Sequence, residues 1–329
     1  MKLHRMSWCL LGALATGAHA QVTELAHPQW QALYEADQLA QLQRQARTHL
    51  AAHRHDPDAV LALALAAEAD ADQGEVALTQ ARSCVDQQPQ GAPCQLALGM
   101  LMSQQVANGS PLTAVRYGAA IGQAFAQAVQ AQPAYLPARA ALVAFYLNAP
   151  RIVGGGADKA RAAAAATPPE QAQYAKILRG QIAAHDDQFD QALKEFRSVN
   201  AGDDAHLARR LRLARMDFGL ALMEDGQGER ARAVFAELSK DFPDRAEGFY
   251  GLGRCALQAK QFDAAIAQLD QAGNLAGAPT LPIDQRLGEA YAGKGDKHKA
   301  RQLLERFLKQ PGMLKGNVDG ARKLLDELG

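Results

Sequence analysis

The chain has little of what usually betrays a specific activity. Aromatic residues make up only 6% of its 329 residues, and β-branched residues are few beside the Ala and Leu that carry most of the 48% hydrophobic content. Ala and Leu are strong helix formers, so an all-α fold is expected and a strand-rich one excluded. Neither sign of charge is in excess, with 35 Lys and Arg against 35 Asp and Glu. A nucleic-acid binder normally carries a basic surplus, so no nucleic-acid partner is expected. No Cys-x-x-Cys and no zinc-like Cys/His spacing occurs, which leaves no metal site. A nucleophile elbow, a recognisable Ser/His/Asp order and a paired-carboxylate site are missing too, so no catalytic residue and no cofactor is assigned and the chain reads as a non-enzyme. The 28 Gly and 14 Pro follow no fixed glycine period, which excludes collagen-like structure.

Long apolar runs are also missing, apart from a short one at the start. Residues 1–20, MKLHRMSWCLLGALATGAHA, pair a basic start at Lys2 and Arg5 with an apolar stretch and the small-residue pattern Ala18-His19-Ala20. This reads as a secretory signal peptide, too short to remain as a membrane span. Nothing later reaches the roughly 18 apolar residues a spanning helix needs, so the mature chain is expected to be soluble, without a transmembrane segment. Export places it in the periplasm or outside the cell, where close cysteine pairs are oxidised. Cys84 and Cys94 flank a predicted turn, DQQPQGAP, and are expected to form a disulfide, whereas Cys255 lies mid-helix and is expected to be buried and unpaired.

What the sequence does contain is a period. Three segments align, beginning at Phe218, Leu252 and Leu287. Gly219, Gly253 and Gly288 share one phase, separated by 34 and then 35 residues, and Ala231, Ala265 and Ala300 share another. Phe235, Leu269 and Leu304 share a third, and Gly226 and Gly295 fall where a first helix must turn into a second. A glycine inside a helix costs about 1 kcal/mol against Ala, so its recurrence calls for close helix packing. Weaker copies carry Gly180, Phe189, Ala192 and Phe196, then Leu142, Tyr146 and Ala160, then Leu98, Gly99, Phe125 and Ala128 with about ten extra residues between its helices.

These residues resemble the tetratricopeptide repeat, which implies a right-handed superhelical solenoid of antiparallel helix pairs and a concave groove for a protein or peptide. The expected layout is a signal peptide at 1–20, a divergent helical cap at 21–56, a solenoid of about seven units at 57–312 and a capping helix at 313–329. The segment Tyr146-x-x-Ala149-Pro150-x-Ile152-x-Gly154-Gly155-x-x-x-Lys159-Ala160 also resembles one found in a subgroup of exported bacterial repeat proteins.

Candidate chemistry is sparse. GGGADKA at Gly154–Gly156 lacks the GxxxxGK spacing and hydroxyl of a phosphate loop and reads as a turn, with Pro150 ending the helix before it. His49 and His53, at i and i+4, and His55 read as a solvated helix end more than as metal ligands. The basic run His206–Arg215 reads as an amphipathic helix with a wet basic face. Repeat phase assigns Tyr174, Ile177, Gln181, Met216, Leu220, Met223, Glu247, Tyr250, Arg254, Gln285 and Glu289 to a partner-binding groove. The function expected is a non-catalytic scaffold. The alternative from another class is an accessory subunit or enzyme handling cell-envelope polysaccharide or peptidoglycan.

Overall fold

The structure is a computed structural model that describes residues 25–36, 38–67, 74–109, 111–202, 204–310 and 313–329. The expected signal peptide lies outside the described residues. Among them are seventeen α-helices and no strand. The chain divides into two compact units, Met1–Leu207 and Ala208–Gly329. The first holds α1 (Pro28–Glu35), α2 (Leu39–Ala52), α3 (Pro57–Ala66), α4 (Gly74–Gln87) and α5 (Ala92–Asn108), then α6 (Pro111–Ala131), α7 (Leu136–Asn148), α8 (Ala157–Ala165), α9 (Ala172–His185) and α10 (Phe189–Arg197). Helix α11 (Ala205–Glu224) begins at its end. The second unit holds the rest of α11, then α12 (Gly228–Asp241), α13 (Ala246–Gln258), α14 (Phe262–Gly273), α15 (Ile283–Gly293), α16 (Lys297–Phe307) and α17 (Lys315–Leu328).

In each unit a helix packs on the next in sequence, and first helices also touch the first helices of neighbouring pairs, α3 on α5 and α13 on α15. That contact pattern is a helical repeat stack. The in-phase glycines explain how the pairs close. A Cβ on Gly219 would lie 2.5 Å from the Phe235 ring, on Gly253 2.6 Å from Leu269, on Gly288 2.8 Å from Leu304, and on Gly180 2.5 Å from Phe196. In all four the large residue follows its glycine by sixteen positions. In the pair α5/α6 the contact is Gly99 with Phe125, at 2.4 Å, and the separation grows to twenty-six because the extra residues lengthen both helices.

The turns repeat as well. Asp187, Gly226, Lys260 and Gly295 all take positive φ, between 56° and 85°. Each is followed by a backbone N–H that reaches back to close the helix end: Gln188 to Ala183, Gln227 to Leu222, Gln261 to Ala256 and Asp296 to Tyr291, at 2.8–2.9 Å. This is the helix-ending arrangement that glycine favours, and two of the four turns make it with Asp or Lys. At the C-terminus α17 buries Ala321 and Leu328 against Ala300, Leu304 and Phe307, with Leu324 and Leu325 partly covered. At the other end Trp30 and Tyr34 of α1 are buried in the core of the first unit.

Candidate functional site

The site is built from the first helices of the repeats. Their glycine face meets the second helix, so residues a turn to either side stay accessible only along a narrow stripe. The structure divides the predicted groove residues accordingly. Met216, Leu220, Arg254 and Glu289 of the second unit and Tyr174 and Gln181 of the first are partly exposed. Ile177, Met223, Glu247, Tyr250 and Gln285 are buried and present no groove surface, which corrects their assignment. Helices of the same pair and of the adjacent pair cover a first helix on two sides, and phase alone does not separate the covered flank from the open stripe.

One of the buried residues, Tyr250, packs beneath the stripe. Tyr250 sits in a core with Ala246, Leu269, Leu281 and Leu287, against which the partly exposed Met216 packs. Its hydroxyl is also a partner of Arg286, a half-buried residue of α15 that the repeat reading did not single out. Arg286 donates to Glu289 Oε1 at 2.7 Å and to Asn317 Oδ1 at 3.1 Å. Burial works against this guanidinium, but Tyr250 and Glu289 outweigh it and hold its pKa above the ordinary value. On α11 the half-buried Asp217 has its pKa pushed up to about 7 by burial. Asp217 and Arg286 share one repeat position, two residues before the in-phase glycine, where α13 has Gly251. No recurring residue type marks this position, so the repeat pattern alone carried no signal for them.

The basic run of α11 is not a wet face. Arg210, Arg212 and Arg215 are buried. Arg212 Nε donates to Glu247 Oε1 at 2.8 Å, both groups being buried, and Arg215 donates to Asp241 at 2.6 Å. Burial lowers the Arg212 pKa and Glu247 opposes that shift. The correction has a simple cause: α11 is a first helix, and the carboxylates that neutralise it come from α12 and α13, outside its own amphipathic pattern.

Cys84 and Cys94 are joined by a disulfide with a Cα–Cα distance of 5.7 Å, and Cys255 is a free, buried thiol whose pKa burial pushes up to about 11. His49 is not simply solvated, because its ring stacks on His53 at 4.3 Å, meets Trp30 edge-on at 5.2 Å and lies 3.2 Å from Asp56. No group of three or more metal-ligating side chains occurs among the described residues. No described helix is long and apolar enough to cross a membrane. In the glycine loop Gly154 and Gly156 take φ of 105° and 150°, and a Cβ on Gly155 would lie 1.8 Å from the Ala149 carbonyl oxygen. Lys159 Nζ donates to the Gly154 carbonyl at 2.8 Å. The loop is thus a fixed turn, as read from the sequence.

Tetratricopeptide repeat profiles match residues 216–279 and 285–312, so the second unit carries tetratricopeptide repeats. No curated protein matches the chain. Among solved structures it is similar to a chain of the APC/C hetero-tetramer Cut9-Hcn1, at a TM-score of 0.44 and 16% identity over 99% of this chain and 57% of that one. It therefore spans little more than half the length of that relative. It is also similar to a tetratricopeptide repeat protein of Parabacteroides merdae ATCC 43184, at a TM-score of 0.47 and 13% identity over 79% of this chain and 93% of that one. Yeast Tom70 gives a TM-score of 0.47 and 12% identity over 97% and 69%. These similarities are too distant to carry a function.

Proposed function

We propose that the protein is a non-catalytic tetratricopeptide repeat scaffold of the bacterial cell envelope that binds a protein or peptide partner along the exposed stripe of its first helices. One observation carries this reading. Met216 and Leu220 of α11, Arg254 of α13 and Glu289 of α15 lie partly exposed on consecutive first helices, alongside the buried Tyr250 and Glu247 and the half-buried Arg286. The supporting groups are fixed by ion pairs and hydrogen bonds, so the stripe offers a rigid alternation of thioether, aliphatic, cationic and anionic surface. A methionine there adapts to different side chains, and the charged pair orients the bound segment.

Export is supported by the signal-like residues 1–20 and by the Cys84–Cys94 bridge, which persists in an oxidising compartment. The Tyr146–Ala160 segment supports placement with exported bacterial repeat proteins. The test is capture of a partner from envelope extract by wild type and by the variant Met216→Ala, Leu220→Ser, Arg254→Glu. A partner enriched by wild type and lost by the variant is expected. Equal capture by both would refute the stripe as the binding surface.

A further inference from the structure

In the second unit two connections between helix pairs differ in length. Residues 242–245 join α12 to α13, whereas residues 274–282 join α14 to α15 and include a short turn, Ala278–Thr280. The longer connection folds back over the start of α13. There the Ala246 N–H donates to the Ala276 carbonyl at 3.0 Å and the Ala276 N–H to the Asp244 carbonyl at 3.3 Å, so that Arg245 and Ala276 form an isolated parallel bridge. Gly277, with φ of 90°, sits against the charged groups of this end: a Cβ there would lie 3.2 Å from Arg245 Nη2 and 3.3 Å from Glu247 Oε1. Leu281 is buried in the core that holds Tyr250, and Leu275 and Ala278 pack on that core, as Met216 does.

The seated segment leaves the polar groups beneath it incompletely matched. Glu247 has the repeat phase of a groove residue, yet it is 4% exposed. Arg212 Nε and Arg245 Nη2 both face its Oε1, at 2.8 and 3.6 Å. The buried Glu247 Oε2 and Arg245 Nε make no hydrogen bond to any described residue. Nearly all buried polar atoms in native proteins are bonded, so one acceptor and one donor are left over at a place where Gly277 offers no side chain. A primary amide carries the complementary donor and acceptor in one group.

We infer that residues 275–281 form a flap seated on one end of the binding stripe, and that the partner is an extended segment that displaces it. The segment pairs with the same backbone groups of Asp244 and Ala246 and presents an Asn or Gln side chain to Glu247 and Arg245. This rests on the stripe of first helices being the binding surface. Backbone pairing selects an extended occupant, because the flap itself holds α13 through a strand-like bridge and not through a helix. A seated flap lowers the partner's apparent affinity in proportion to the fraction of molecules in which it is open.

The test needs no identified partner. The Ala246 N–H, at the start of α13, has no acceptor within its own helix, so hydrogen exchange there reports the flap. In the full chain the Ala246 and Ala276 amides should exchange together, at least about 100-fold faster than the Cys255 amide in the interior of α13. The variant Ala276→Pro lacks the N–H that bonds Asp244 and should speed exchange at Ala246 by about 10–100-fold. A fluorescent peptide of residues 274–282 should bind that variant more tightly than wild type by the same factor. The same peptide with Gly277→Asn should bind about 10-fold more tightly still. Exchange at Ala246 as slow as at Cys255, equal peptide affinity for variant and wild type, or no binding to the variant would overturn the flap. Equal affinity of the two peptides would overturn the amide assignment. Should the variant fail to fold by circular dichroism, the wild-type exchange decides alone. A flap that opens only on global unfolding sinks this inference and leaves the stripe standing, whereas failure of the partner-capture experiment sinks the stripe whatever the exchange shows.

Discussion

Replacing Gly219 by Ala inserts one methyl group into a close helix contact of the second unit. The new Cβ would sit 2.5 Å from the Phe235 ring, where ordinary contact begins at 3.4 Å, so about 1 Å of relief is needed. Phe235 cannot supply it. The ring is fully buried, and on its other side a Cβ at Gly251 would lie 2.0 Å away, so the ring is wedged between α11 and α13. Overpacking of this kind costs roughly 1–3 kcal/mol. Ala regains about 1 kcal/mol of helix propensity over Gly, leaving a net loss of up to about 2 kcal/mol. The assay is urea unfolding followed by circular dichroism, with Gly316→Ala as the control. Gly316 lies in α17 with nothing within 4 Å of a built Cβ, so there Ala should be neutral or stabilising. Adding Phe235→Leu to Gly219→Ala should recover about 1 kcal/mol relative to the sum of the single changes. Stabilisation by Ala at Gly219 as at Gly316, or strict additivity with Phe235→Leu, would refute the packing account of the repeated glycine.

Other substitutions test the buried charges and the turns. Glu247→Gln leaves Arg212 buried without its carboxylate and should destabilise by about 3–5 kcal/mol, whereas replacing both by Leu should cost far less; thermal melts compare the two. Asp217 keeps its proton in the folded state until about pH 7 but loses it near 3.8 in the unfolded chain, so wild type loses stability as pH rises between those values and the penalty is constant above them. Asp217→Asn should therefore match wild type near pH 4 and exceed it in Tm above pH 7; a constant difference across that range would contradict the assignment. Lys260 occupies a left-handed turn position that glycine fills at Gly226 and Gly295, and Lys260→Gly should stabilise by about 1 kcal/mol in the same denaturation assay.

Legibility in the sequence followed the repeat. The phases of Gly219, Gly253 and Gly288 foretold which positions pack on Phe235, Leu269 and Leu304, because close approach of two helices leaves the same small-to-large spacing each time. The Cys84–Cys94 bridge was legible for a local reason, since a short turn separates the two residues. The buried arginines were not legible. Arg212 looks solvent-facing within α11, and its neutralising partner Glu247 lies thirty-five residues on, in the next first helix. Tyr250 and Gln285 were misplaced for a related reason: each sits on the flank of its helix that the adjacent pair covers, a property of stacking and not of any one helix. Arg286 and Asp217 escaped notice because position-by-position comparison favoured recurring residue types, and here the same place holds Asp, Gly and Arg in turn.

The stripe of first helices is tested most directly by photo-crosslinking in the producing cell, with a photoreactive phenylalanine at Leu220, at Arg254 or at Ala236 on the exposed face of α12. Adducts of one common partner from Leu220 and Arg254, and none from Ala236, are the predicted result. Adducts from Ala236 alone, or equally from all three positions, would contradict the claim that the first helices form the binding surface.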